Sequence, residues 1–161
     1  MQSTAKSAPR KRLYTEAERA RRDATVWTLV QGLLAPMQFL AFGISLVLVL
    51  RYLATGAGYD AATLSILIKT AFLMVIMVTG AIWEKTVFGQ YLFAPAFFWE
   101  DVFSFAVIGL HCLYVAMLWT KGLPPNELML LALAAYTAYV INAGQFLWKL
   151  RLARLDMQVP A

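Results

Sequence analysis

The sequence is poor in the residues that build metal centres and disulfides. It contains one cysteine, Cys112, and one histidine, His111, which excludes an intrachain disulfide and a zinc site of clustered Cys and His ligands. The glycines of the segment 54–60 form only a fragment of a nucleotide-binding fingerprint, and no predicted strand precedes them. We therefore expect no cofactor and no metal ion held by the protein alone.

Charged residues are scarce as well. Asp, Glu, Lys and Arg make up 14% of the chain and apolar residues 61%, whereas an ordinary soluble domain has roughly 25% charged residues. This shortfall predicts an all-α integral membrane protein. The formal net charge of +5 does not indicate a nucleic-acid partner, because seven of the 14 Lys and Arg lie in the first 22 residues, where basic residues orient a membrane protein.

Four apolar segments are long enough to cross a bilayer core, which takes ~20 helical residues. They cover residues 26–50, 62–83, 95–119 and 127–150 of a four-helix domain, 24–161. A basic tail, 1–23, precedes this domain. In it, Thr15 and Glu18 form a capping box that predicts a short helix. We expect this helix to lie on the membrane surface, with a solvated helical tail as the alternative.

The basic residues predict the orientation of the spans. Lys149, Arg151 and Arg154 close the chain, and four spans would put them on the same side as the basic N-terminal tail. The first and third connections carry little beyond Arg51 and Lys121 at their edges. The excess of basic residues at the termini predicts that both termini are cytoplasmic, together with the connection between the second and third spans.

That connection, residues 83–101, combines seven aromatic residues with four charged ones. Ionisable groups at membrane depth indicate a functional site by default. Polar residues inside the spans fall on single helix faces, although hydrogen bonding between helices would also explain such stripes. Together they predict a polar pocket that opens toward the cytoplasm beneath the aromatic connection. The stripes are Gln31, Gln38 and Ser45; Lys69 and Glu84; Glu100, Ser104 and His111; and Tyr139, Asn142 and Gln145.

Five stretches carry a resemblance to one family: residues 13–19 (LYTEAER), 27–36 (WTLVQGLLAP), 83–85 (WEK), 92–101 (LFAPAFFWED) and 139–146 (YVINAGQF). They resemble the vinyl bacteriochlorophyllide hydratases of phototrophic bacteria, also called chlorophyllide a 3-vinyl hydratases. The resemblance implies a hydro-lyase of bacteriochlorophyll synthesis that adds water to the 3-vinyl group of chlorophyllide a or bacteriochlorophyllide, giving a 3-(1-hydroxyethyl) group.

The same resemblance implies the partners and the location. The partners would be a magnesium chlorin, water and the lipid bilayer, with a homo-oligomer or an association with other bacteriochlorophyll-synthesis enzymes left open. The location would be the bacterial inner, intracytoplasmic photosynthetic membrane.

Hydration of a vinyl group requires an acid that protonates the terminal carbon, negative potential beside the developing cation, and a group that accepts a proton from water. Glu84, Glu100 and Asp101 are the candidates, since burial among aromatics and a neighbouring carboxylate both favour the protonated form. We expect Glu84 or Glu100 to be the acid and the other, or Asp101, to position the water. Alternatively, Glu84 pairs with Lys85, while the other two carboxylates favour a helix N-terminus.

Further residues are candidates for holding the chlorin. His111 is a candidate ligand to the substrate magnesium, although eleven helical residues, about 16 Å, separate it from Glu100. Arg21, Arg22 and Lys149 are candidates for holding a substrate propionate. The predicted substrate-binding residues are Gln31, Trp83, Phe97, Phe98, Trp99, His111, Asn142 and Gln145.

Two other classes of protein fit much of this pattern. A non-catalytic membrane protein that binds pigment or assembles photosynthetic complexes would also use the aromatics and His111. In a small structural subunit, the polar stripes would serve packing alone. The carboxyl groups separate these classes from a hydratase, because a carrier needs no protonatable acid against its ligand.

Overall fold

The computed structural model describes residues 13–158, which form five helices and no strand. Four of the helices are long and apolar enough to cross a membrane, so the all-α, four-span fold class is confirmed. The predicted tail over residues 1–12 lies outside the described residues. The helices are α1 (Glu16–Ala24), α2 (Val26–Thr55), α3 (Tyr59–Phe88), α4 (Phe98–Thr120) and α5 (Pro125–Gln158).

The N-terminal helix α1 begins at the predicted capping box. The Thr15 hydroxyl accepts the Glu18 N–H at 3.2 Å, and the Glu18 carboxylate accepts the Thr15 N–H at 2.7 Å. These two bonds satisfy donors that every helix start leaves unpaired. Thr25 then ends α1 and caps α2 by accepting the Trp27 N–H, so α1 leads directly into the first span.

The four long helices form two hairpins, α2–α3 and α4–α5, and most contacts between helices lie within a hairpin. Gly56 and Gly58 close the first hairpin with φ of 71° and 88°, a left-handed conformation that glycine adopts without steric cost. The second hairpin is closed by residues 121–124. The hairpins meet where α2 contacts α5 and α3 contacts α4.

Large apolar side chains line the outside of the bundle, as Leu40, Val47 and Val78 do. An outer surface of this kind suits lipid rather than water. Two buried clusters hold the interior at opposite ends. One surrounds Tyr114 and Tyr136, and the other packs Tyr14, Val87, Phe97 and Ala153 beside both chain ends. We call the second end the terminal end of the bundle.

The connection between the hairpins is shorter than the aromatic stretch suggested. Helix α3 continues to Phe88, beyond the predicted end of the span at 83. Helix α4 begins at Phe98, three residues after the predicted start at Pro95. Pro95 lies instead in a turn, closed by the Phe97 N–H donating to the Ala94 carbonyl at 2.8 Å. Between α3 and α4, only residues 89–97 are non-helical, and they cross the terminal end of the bundle.

Candidate functional site

A pair of buried carboxyl groups, Glu84 near the end of α3 and Asp101 in the first turn of α4, lies beneath residues 89–97. Glu84 accepts the Ala94 N–H at 3.2 Å, and Asp101 accepts the Phe93 N–H at 2.6 Å. Because they bind the N–H groups of consecutive residues, the two carboxyl groups lie close together. Two buried carboxyl groups this close favour a state in which the pair keeps one proton, since like charges repel. We call Glu84 and Asp101 the carboxyl pair.

The backbone over this pair is held in an unusual conformation. Phe93 has φ of 60°, a left-handed value that costs a non-glycine residue free energy unless its surroundings impose it. The bond from its N–H to Asp101 and the adjacent bond from Ala94 to Glu84 supply that constraint. The position of the connection therefore depends on the carboxyl pair.

Glu100 provides a third carboxyl group in a different environment. Its Oε1 lies 3.6 Å from the Lys149 ammonium, which also donates to the Ala96 carbonyl at 2.6 Å. Its Oε2 is buried without a hydrogen-bond partner. Glu100 lies near enough to Glu84 and Asp101 to interact with both electrostatically. The site thus contains two buried carboxyl groups side by side and a third that faces a cation.

The alternative in which Glu84 pairs with Lys85 is wrong. The Lys85 ammonium donates to the Gly89 carbonyl at 2.7 Å and lies beside the Tyr91 ring. Glu84 points into the bundle and is buried. The reason is helical geometry, since neighbouring residues on a helix point in different directions.

The predicted polar residues of α5 meet α4 beside Glu100. Asn142 donates to the Ser104 hydroxyl at 2.7 Å, and Ser104 donates to the Glu100 carbonyl at 2.9 Å. Asn142, Gln145 and Lys149 follow one face of α5 at spacings of three and four residues. The side-chain oxygens of Asn142 and Gln145 are buried without a hydrogen-bond partner. Asn142 therefore belongs to the neighbourhood of Glu100, and Gln145 lies on the same face of α5.

The predicted aromatic residues separate into two groups. The inner aromatic cluster packs around Phe97, with ring centroids of Tyr14, Trp83 and Phe146 at 6.4, 5.7 and 6.0 Å from it. Burial raises the pKa of the Tyr14 phenol, and the neighbouring Arg22 opposes that shift. This cluster, which also contains Phe88, seals the terminal end of the bundle.

The outer aromatic surface consists of Phe93, Phe98, Trp99 and Phe105. Phe93 stacks on Phe105 with centroids 5.6 Å apart and contacts Phe98 at 5.7 Å. Trp99 packs edge-on against Phe98 and is 65% exposed. These rings face outward from the start of α4. The consecutive residues 97, 98 and 99 therefore contribute to different surfaces, which the sequence interpretation had combined.

Lys69 and His111 form a separate buried site within the spans. The Lys69 ammonium lies 2.9 Å from His111 Nε2, and His111 Nδ1 is 2.8 Å from the Val107 carbonyl. The ammonium also lies 3.9 Å from the centre of the Tyr139 ring, a favourable cation–π arrangement. Both imidazole nitrogens are thus engaged, and magnesium ligation by His111 would require Lys69 to release Nε2.

The remaining predicted residues contact other parts of the fold. Gln31 donates to Thr79 at 2.7 Å in the seam between α2 and α3. Arg21 donates to the Val87 carbonyl at 2.8 Å, and Arg22 lies over the Tyr14 ring. These arginines hold α1 against the end of α3.

Sequence reasoning left several residues out of the site. Lys149 was interpreted only as a propionate anchor, whereas it faces Glu100. Phe93 and Phe105 were not singled out. The bond from the Phe93 N–H to Asp101 joins residues eight positions apart, across the turn before α4. Tyr14 gave no signal beyond its place before the capping box.

Fold and site together define a four-span helical membrane protein with three buried carboxyl groups at one end, beneath an aromatic cover. The chain belongs to the 2-vinyl bacteriochlorophyllide hydratase family, whose sequence pattern it matches over residues 14–152. This family is the one that the sequence motifs indicated.

Two curated relatives show the extent of the similarity. A 2-vinyl bacteriochlorophyllide hydratase of Cereibacter sphaeroides is 73% identical over 158 residues, 98% of each chain. A protein of the same name from Rhodobacter capsulatus is 72% identical over 156 residues, 97% of this chain and 91% of the relative. No solved structure matches the chain significantly.

Proposed function

We propose that this protein hydrates the vinyl group of a magnesium chlorin, chlorophyllide a or bacteriochlorophyllide, in bacteriochlorophyll synthesis. The observation that carries the proposal is the contrast between two adjacent carboxyl environments. The carboxyl pair sets two buried acids side by side, an arrangement that favours one shared proton, while Glu100 faces the Lys149 ammonium. Splitting carboxyl groups into a protonated and an ionised member is a common way to supply an acid and a base in one site. The names of the close relatives support the substrate class.

The carboxyl pair serves as the acid. It transfers its proton to the terminal vinyl carbon, and the electron pair of the double bond forms the new C–H bond. The positive charge that remains on the inner carbon spreads into the macrocycle. The pair, now carrying one more negative charge, stabilises this cation electrostatically.

Glu100 serves as the base. A water molecule adds its oxygen to the inner carbon, and Glu100 accepts one of the water protons. The Lys149 ammonium lies 3.6 Å from Glu100 Oε1, so a positive charge faces the proposed base. Return of the proton from Glu100 to the carboxyl pair completes the cycle, so that one vinyl group and one water give one alcohol.

The outer aromatic surface is the platform for the ring. Its exposed rings lie beside the connection that Asp101 holds, and the proposal places the chlorin on them with its vinyl edge toward the pair. Offset stacking of flat rings is favourable, and an apolar pigment enters this surface from the lipid. The magnesium belongs to the substrate, and the mechanism requires no ligand to it from His111.

The basic residues at both ends of the chain support an orientation with the termini and the carboxyl groups on the cytoplasmic side of the inner membrane. The chlorin would therefore bind at the cytoplasmic leaflet, within reach of soluble enzymes that act on the same pigment.

Membranes from a host that makes no chlorophyll, containing this protein, provide the test. On incubation with chlorophyllide a, the absorption bands should shift to the blue as the vinyl conjugation is lost, and mass spectrometry should show the addition of one water. Membranes without the protein are the control. Pigment that binds with unchanged spectrum and mass would instead identify a pigment carrier.

A further inference from the structure

Three buried oxygen atoms on the seam between α4 and α5 have no hydrogen-bond partner. They are Glu100 Oε2, Asn142 Oδ1 and Gln145 Oε1. The side chains of Glu100 and Asn142 are 5% and 7% exposed. Because a buried polar atom without a partner costs about 1–3 kcal/mol, three such atoms on the facing sides of two helices indicate a bound donor.

The orientation of the Asn142 amide is fixed by its neighbour. The Ser104 hydroxyl donates its proton to the Glu100 carbonyl, so it can only accept from Asn142. The amide nitrogen of Asn142 therefore points at Ser104, and its oxygen points away from Ser104. The unpaired atom is an acceptor, as the Glu100 carboxylate oxygen is.

The contacts bring Glu100 and Asn142 together, and helical periodicity assigns Gln145 to the same face of α5. Asn142 reaches Glu100 through Ser104, and Lys149 lies against Glu100 one step further along α5. Gln145 lies between Asn142 and Lys149 on the same face of that helix. The Lys149 ammonium is already engaged with Glu100 and the Ala96 carbonyl. No residue between 13 and 158 donates to these three acceptors, so a small bound molecule would satisfy them.

Water fits these acceptors best. It offers two donors and is small enough for an enclosed seam, and buried waters commonly satisfy such groups. The reaction consumes one water at each turnover, although the hydrocarbon around the spans supplies little of it. A fixed site for this water would present its oxygen to the cation and exclude larger nucleophiles.

We propose that Glu100, Asn142 and Gln145 bind the nucleophilic water, and that the two amides select water over larger alcohols. This inference rests on the proposed hydratase function. It assigns Asn142 and Gln145 to positioning of the water rather than contact with the chlorin ring. If their side chains are shortened, methanol can take the place of water. Its oxygen then bonds to the inner carbon and its hydroxyl proton passes to Glu100, which gives a methyl ether.

The experiment compares products in aqueous methanol. The wild type, Asn142→Ala and Gln145→Ala are incubated with chlorophyllide a, and mass spectrometry gives the ratio of methyl ether to alcohol. The control is Gln38→Ala, which shortens a buried amide on α2 that is also unpaired. We expect the ratio to rise about tenfold in the two α5 variants, equivalent to ~1.4 kcal/mol, and to stay at the wild-type value in the control.

The outcomes separate the two proposals. Alcohol formation with an unchanged ratio in all variants would leave the hydratase function standing and overturn the water site. A rise of equal size in Gln38→Ala would overturn it too, because general loosening would then explain the effect. If the wild type forms no alcohol, both proposals fail.

A second measurement does not depend on turnover. Infrared spectra of the purified protein in water and in oxygen-18 water should differ by an isotope-shifted O–H stretch of a bound water. This band should disappear in Asn142→Leu and persist in Gln38→Leu. Its absence from the wild type would contradict the proposal even where a variant is inactive.

Discussion

Glu84 and Asp101 hold two consecutive backbone N–H groups of the segment that joins their helices. Glu84 accepts the N–H of Ala94, and Asp101 accepts the N–H of Phe93, so the two carboxyl groups lie close together. The proposed acid and the aromatic platform for the ring are therefore mechanically connected. A change in either carboxyl group would therefore also disturb the segment above it.

The carboxyl pair should be required for protonation of the vinyl group. In Glu84→Gln the side-chain oxygen still accepts the Ala94 N–H, but the amide cannot give a proton to carbon. We expect hydration to fall about 10²–10⁴-fold, the usual contribution of a general acid, with chlorophyllide still co-purifying. Turnover and bound pigment are measured on the same preparation. Full activity in both Glu84→Gln and Asp101→Asn would eliminate this pair as the acid.

Glu100 should be required for water addition, and Lys149 should support it. Glu100→Gln removes the base, so hydration should again fall about 10²–10⁴-fold. Lys149→Met keeps the length of the side chain but removes the charge that faces Glu100, and a smaller loss, about tenfold, is expected at the ~1.4 kcal/mol of a moderate electrostatic interaction. Lys149→Arg is the charge-preserving control. A larger loss in Lys149→Met than in Glu100→Gln would assign the central role to the lysine.

The two aromatic groups should respond differently to truncation. Trp99 is 65% exposed, so Trp99→Ala should leave the unfolding temperature unchanged while KM for the pigment rises by about 2–10-fold, as expected for one lost ring contact. Phe97 is buried in the inner cluster, and Phe97→Ala should destabilise the fold by about 3–5 kcal/mol. Thermal unfolding in detergent and pigment titration distinguish the two effects. An unchanged KM in both Trp99→Ala and Phe98→Ala would exclude the outer surface as the platform.

Lys69 and His111 should affect stability more than turnover. His111→Leu leaves the buried ammonium without its acceptor, a loss of about 1.5–3 kcal/mol for a hydrogen bond to a charged group. The double variant Lys69→Met/His111→Leu removes both polar groups and should recover most of the unfolding temperature, because apolar replacement of a buried polar pair is often neutral.

Pigment retention in the same variants tests the magnesium ligand. Because both imidazole nitrogens are engaged, we expect His111→Leu to retain chlorophyllide in the folded fraction. Loss of pigment in His111→Leu, together with stronger binding in Lys69→Met, would show that a freed Nε2 coordinates the magnesium.

The orientation of the spans should follow the basic residues. Reporter fusions after residue 158 and protease accessibility of α1 should both show a cytoplasmic location, and fusions in the 121–124 turn should show a periplasmic one. A periplasmic C-terminus would reverse the bundle and move the carboxyl site to the opposite leaflet.

The apolar segments predicted the four-helix architecture because ~20 apolar residues have few alternatives to a membrane-spanning helix. The capping box at Thr15 and Glu18 likewise predicted the start of α1. Helix ends were less accurate. The helices continue through polar residues at the bundle ends, so the apolar pattern placed the end of the second span at 83, five residues before α3 ends. Pro95 lies in a turn and is not the first residue of α4.

The site was only partly predictable for a related reason. Periodicity assigns a residue to a helix face, but it does not identify the helix that it meets. It therefore assigned Lys69 and His111 to polar stripes on two different helices and did not predict the contact between them. Phe97, Phe98 and Trp99 are consecutive. Successive residues at a helix start point in directions ~100° apart, so the three rings lie on different surfaces. The proximity of Glu84 and Asp101 depends on the path of the connection between α3 and α4. The polar pattern of a single helix does not give that path.

The division of the bundle into two hairpins has a consequence for its biogenesis. Glu84 belongs to the first hairpin, whereas Asp101, Glu100 and the amides of α5 belong to the second. Neither hairpin alone contains all the carboxyl groups of the site, so the site is complete only when the two hairpins pack together. Before the second hairpin packs against the first, a newly made chain lacks the complete site, so hydration activity requires both hairpins to be in place.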